Sequence, residues 1–156
     1  MKLQSLLSLL FAALFFSHSA AAESSLDFDG AWIAEAPPSS KVMAAYMEIK
    51  NSGDKVTKIV SATSENFKRI TFHQTKNEGD MAKMEHMGTL TIPAKGKLVL
   101  KAGSHHIMLF NPVKKLKAGD QATLALKLEN GDIISLVVPV KKQQMEMMDH
   151  SKHMNH

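Results

Sequence analysis

Apolar and polar side chains alternate in short runs from Trp32 onward, and the runs return at intervals of roughly ten residues. Alternation with a period of two marks a strand with one buried face. The pattern predicts strands at Ala45–Lys50, Val56–Ala62, Arg69–Gln74, Gly88–Ile92, Lys97–Leu100, His106–Phe110, Gln121–Leu128 and Ile133–Val140. Turn residues separate them: Asn51-Ser52-Gly53-Asp54, Ala102-Gly103-Ser104 and Glu129-Asn130-Gly131-Asp132. Asn-Gly between two β-rich runs is a strong hairpin signal. Eight or nine short strands with such punctuation imply an all-β fold, an antiparallel Greek-key sandwich or barrel. No long 3.6-residue period competes with it. Residues 64–68 and 77–83 are expected to hold a loop or one helical turn.

Both ends depart from this pattern. Lys2 precedes an apolar run from Leu3 to Phe16, and small residues follow as far as Ala22. The run is about 21 Å long as a helix against a hydrocarbon core of about 30 Å, so it is too short to anchor. It reads as a cleaved signal peptide over residues 1–22, with periplasmic export of a soluble remainder. Residues 142–156 form a flexible tail in this reading, because no apolar face is available to dock. Seven of the last twelve positions are Met145, Met147, Met148, His150, His153, Met154 and His156. Residues 23–141 are left as one domain.

Composition narrows the chemistry. The 156 residues contain no cysteine, which excludes disulfide scaffolds, zinc–thiolate sites, iron–sulfur clusters, catalytic thiols and blue-copper cysteinates. Methionine reaches 11 and histidine 8. A soft-metal site in an oxidising compartment would therefore have to use thioether or imidazole. The net charge of +4 rests on scattered lysines with Arg69 as the one arginine, and aromatics make up 6%. That is a solvated surface and not a nucleic-acid footprint. No Ser-His-Asp constellation, phosphate loop or zinc-protease helix appears, so an enzyme is not indicated.

His106-Ile107-Met108-Leu109 is the most informative local pattern. Strand side chains alternate faces, so if Ile107 and Leu109 take the core, His106 and Met108 point outward together. By the same logic Ile70 and Phe72 point inward and His73 outward. Two donors about 6.7 Å apart on one strand cannot enclose an ion. Further ligands must come from elsewhere in the chain, and the candidates are His73 and one of Met81, Met84 or Met87 in the polar connection 77–88. Met81, Met84 and Met87 recur every third residue, so a helical stripe against the barrel or adaptable packing is the alternative to ligation for them. His86 is expected to be an exposed bystander. His105 is expected to be another, or else to point inward with Ile107. Met43 and Met47 read as core or rim residues.

Ten residues separate His73 from Met84, and twenty-one separate Met84 from His106, with Met108 two further on. This His-x10-Met-x21-His-x-Met spacing resembles the periplasmic copper chaperones of the PCu(A)C family. Ala31-Trp32, Ala44-Ala45-Tyr46-Met47 with Asn51, Gly103 to Leu109, Leu116 to Asp120 and Val138-Pro139-Val140 are similar as well, so the resemblance spans about residues 29–141. It implies a cupredoxin-like fold, Cu(I) held by His73, Met84, His106 and Met108, and delivery to the CuA centre of a respiratory oxidase; a monomer is expected, since nothing in the sequence indicates a stable oligomer. Two thioethers and two imidazoles form a neutral, soft set that suits Cu(I) independently of the resemblance. The seven tail residues are a candidate second site, with the imidazoles suited to Cu(II). The competing readings are a copper buffer or resistance protein with no dedicated acceptor, and a metal-free adhesion or assembly sandwich.

Overall fold

The computed structural model describes residues 25–143 except Asp80. The expected signal segment and the tail donors from Met145 onward lie outside the described residues. Ten strands follow one another: β1 (Leu26–Ala34), β2 (Val42–Asn51), β3 (Thr57–Thr63), β4 (Phe67–Glu78), β5 (Met81–Met87), β6 (Leu90–Ile92), β7 (Lys97–Leu100), β8 (His105–Pro112), β9 (Gln121–Leu128) and β10 (Ile133–Lys141). No helix occurs among the described residues.

The strands join in the order β5-β4-β8-β7-β2-β1-β10-β9-β3-β6, with β8 also pairing β2. Neighbours are antiparallel except at β1–β10 and in the short β7–β8 contact. The sheet folds over so that its two wings share one apolar core. Met43, Met47, Phe72, Ile107 and Leu109 from one wing belong to the same cluster as Ile59, Leu90, Leu124 and Leu126 from the other. The expected all-β, Greek-key, cupredoxin-like architecture is what forms.

Period two explains the core. β2 and β9 alternate between covered and more open positions, and in β8 both Ile107 and Leu109 are completely buried. Asn51 is the buried polar residue that closes the β2 turn. Its Nδ2 donates to the carbonyls of Lys55 at 2.8 Å and Ile92 at 3.3 Å, and its Oδ1 accepts from the Gly53 N–H at 2.9 Å. One amide thus satisfies three backbone groups, two in the β2–β3 connection and one in β6, as burial requires.

Three sequence expectations change. The strand series begins at Leu26 instead of Trp32; a register shift between Asp29 and Trp32, with Gly30 at φ 59°, interrupts the period there. Phe67 and Lys68 are already strand, so only the start of 64–68 is a connection. The largest correction concerns residues 77–83: the connection expected there shrinks to the residues between Glu78 and Met81, the rest is strand, and no helical turn forms among the described residues. β4 and β5 form a long hairpin in register from Phe72↔Met87 to Glu78↔Met81, with Gly79 in the left-handed region at φ 64°. A two-residue connection of that kind favours glycine. Met81, Met84 and Met87 therefore alternate on a strand and form no helical stripe. Met81 is 75% exposed, and Met87 packs against the core.

Candidate metal centre

Hydrogen-bonded strand partners point to the same side of a sheet. His73 pairs with His106 on one side and His86 on the other. Thr75 pairs with Met84, and Thr71 with Met108. His73, Met84, His106 and Met108 consequently stand on a single face of the adjacent strands β5, β4 and β8, opposite the face that carries Phe72 and Ile107 into the core. Residues far apart in sequence are gathered by register alone.

Met84, His106 and Met108 line one cleft of about 270 Å³ together with Ala34, Ala44 and Tyr46. Ala44 pairs with both Met108 and Ala34. Two small side chains beside Met108 leave the space that larger ones would fill. His73 is not in that lining; it stands beside it, its ring stacked on His106 with centroids 5.9 Å apart and planes at 24°. Glu35 is the one carboxylate that borders the cleft.

The outward faces are not all open surface, which corrects the simplest reading of the alternation. His106 is 5% exposed and Met108 is half-buried, whereas Met84 is 52% exposed. Residues of the β1–β2 connection and Gln143, just after β10, line the same cleft as His106, and strand alternation cannot anticipate such long-range neighbours. His105 is half-buried at the start of β8, and its carbonyl accepts from the Lys101 N–H. Met43 and Met47 are core residues, as expected.

Hydrogen bonds set the imidazole tautomers. His106 Nδ1 lies 3.0 Å from the Ser104 carbonyl oxygen. A carbonyl only accepts, so Nδ1 carries the proton and the neutral ring keeps its lone pair on Nε2. His73 Nε2 lies 2.8 Å from the Thr71 hydroxyl, and its buried Nδ1 has no partner among the described residues. An unpartnered buried nitrogen costs about 1–3 kcal/mol. A bound cation would satisfy it. No group of three or more His, Asp or Glu side chains among the described residues converges as a metal site, so nitrogen and oxygen side chains alone do not make a three-ligand set here.

Partial burial pushes the His73 pKa below 6.5, and His106, His86 and Arg69 push it further in the same direction. As pH falls through 6.5 the unfolded chain takes up this proton before the folded one. The ring's contribution to stability is therefore intact above 6.5 and is lost as pH drops through the lowered folded midpoint. In the copper-free protein the His73 ring resonances should titrate with a midpoint below 6.5. A midpoint at or above that value would contradict the burial argument.

His86 is the residue the sequence reading undervalued. It is exposed, as expected, but its ring meets His73 edge-on with centroids 5.4 Å apart. The signal was its two-residue spacing from Met84, which puts both on one face once the segment is known to be a strand.

Comparison with known proteins places the chain in a family and a fold. Residues 26–140 match the profile of the family described as "Putative lipoprotein LpqE-like". The chain belongs to the LpqE-like family. "Putative lipoprotein Lxx21020" of Leifsonia xyli subsp. xyli is 31% identical over 112 residues, which is 71% of this chain and 66% of that protein. "Uncharacterized protein RP573" of Rickettsia prowazekii is 33% identical over 79 residues, 50% of this chain and 44% of that protein. The LpqE-like chain thus spans less than two thirds of both curated relatives. Among solved structures, Cu(I)-DR1885 from Deinococcus radiodurans is 33% identical, with a TM-score of 0.64 over 80% of this chain and 85% of that one. The copper-bound PCuAC domain from PmoF2 shares the fold at a TM-score of 0.66 with 17% identity, over 76% of this chain and 93% of that one.

Proposed function

We propose that this chain is an exported copper chaperone. It binds Cu(I) through His73, Met84, His106 and Met108 and passes it to an assembling respiratory oxidase at the CuA centre. The observation that carries the reading is the meeting of two thioethers and one imidazole at a single cleft, with a second imidazole stacked beside them and holding a buried unpartnered nitrogen. Neutral soft donors favour Cu(I) over calcium, magnesium or manganese. The similarity to a Cu(I)-bearing protein at 33% identity supports the same ion. The exported form acts as a monomer and has no enzymatic role.

The cleft suits transfer. Met84 is 52% exposed at its rim while His106 is 5% exposed within it, so a docked acceptor can approach the ion from the Met84 side. Mixing the Cu(I)-loaded protein with a copper-free oxidase CuA domain should produce the absorption of the dinuclear centre. Failure to transfer, with Cu(I) binding intact, would favour the copper buffer instead.

Gln143 also lines the cleft. Met145 follows two residues later, a chain reach of about 7 Å. The donor types of the tail support a second copper site, with Met145, Met147, Met148 and Met154 for Cu(I) and His150, His153 and His156 for Cu(II). Competitive Cu(I) titration should give two equivalents for the chain with its tail and one when it ends at Lys142. Unchanged stoichiometry would reject the second site, and no uptake by either form would reject copper binding altogether.

A further inference from the structure

His73, His86 and His106 stand side by side across three neighbouring strands, one imidazole per strand. A metal–nitrogen bond of about 2.0–2.1 Å puts a ring centroid about 3.2 Å from the ion, so two rings that share an ion have centroids at most about 6.4 Å apart. His73 satisfies that limit with His106 at 5.9 Å and with His86 at 5.4 Å. His86 and His106 sit two strands apart, about 9.6 Å by strand spacing, and cannot both hold the ion that His73 holds. The row therefore contains two adjacent two-imidazole positions that share His73.

The two positions differ in access. The inner one is backed by His106, which is 5% exposed, and by Met108 in the cleft. The outer one lies toward β5, the edge strand of the sheet, where His86 is exposed and Met84 is 52% exposed. Met84 and His86 are two residues apart on one strand face, so Met84 is within reach of either position.

We propose that His86 is the exchange ligand of the copper site, the imidazole through which Cu(I) enters and leaves. This rests on the Cu(I) reading above. As the ion moves outward, a Cu–N bond to His86 forms while the bonds to His106 and Met108 break, and His73 and Met84 stay attached. Copper remains monovalent and no electron is transferred. A docked acceptor then meets an ion held at the sheet edge, where displacing one exposed ligand does not require opening the cleft.

The test uses the intact chain loaded with one equivalent of Cu(I), supplied without oxygen as its acetonitrile complex. Extraction by excess bathocuproine disulfonate is followed by stopped-flow absorbance. Replacing His86 by alanine should slow extraction about tenfold while equilibrium affinity stays within about threefold, because the change lies in a rate and not in the resting ligand set. His86→Met, which restores a soft donor, should recover the rate, and His86→Gln should not. A slowing of less than about threefold in His86→Ala, or equal recovery by His86→Gln, overturns the proposal. If the unmodified chain takes up no Cu(I), the copper reading itself fails, an outcome distinct from normal uptake with a variant that exchanges as fast as wild type.

Discussion

Cu(I) affinity is expected to fall by more than about 100-fold in His106→Ala and to stay within about threefold of wild type in His105→Ala, since losing even an outer partner of a ligand typically costs about 10–100-fold. The two histidines are chain neighbours, yet β8 sends their side chains to opposite faces. His106 lines the cleft beside Met84 and Met108 and is held by the Ser104 carbonyl, which leaves its Nε2 lone pair for an ion. His105 lies at the strand start, outside that lining. Anaerobic competition with a chromophoric Cu(I) chelator measures both variants against wild type. Equal losses in the two would mean that proximity to the site, and not coordination by His106, sets affinity.

Ile107→Ala is expected to show the converse pattern. Ile107 is completely buried in the shared core, and truncating such a residue typically costs about 2–5 kcal/mol. Chemical denaturation of the copper-free protein should show that loss. Copper stoichiometry should hold at the wild-type value, because His106 and Met108 face the other way. Met108→Ala should lose affinity with a stability change under about 1 kcal/mol, as expected for a half-buried position outside the core. A variant series in which stability and affinity fall together at both positions would show that the two faces of β8 are not separable.

These paired expectations show how much of the site could be read in advance. The sides of His106 and Met108 followed from the alternation of Ile107 and Leu109, because β8 has one face in the core. The four-residue spacing, recognised by resemblance, named His73 and Met84, and the register of β4 with β5 and β8 puts all four on one face. β5 itself was not legible. Met81, Ala82, Lys83 and Met84 are all exposed, so this edge strand sends no regular apolar face into the core and carries no hydrophobic period to detect. Its three methionines suggested a helical repeat for the same reason. Without β5 the position of His86 beside His73 could not be seen. The depth of His106 was hidden differently, since the cleft it lines is shared with Ala34, Ala44 and Gln143, long-range neighbours that no local pattern encodes.

Copper X-ray absorption on the Cu(I)-loaded protein ending at Lys142 tests the four-donor arrangement most directly, because it counts sulfur and nitrogen neighbours without the tail methionines. The account predicts a first coordination sphere with two sulfurs at about 2.3 Å and two nitrogens at about 2.0 Å. A sphere of nitrogen and oxygen alone, unchanged when Met84 and Met108 are both replaced, would contradict it.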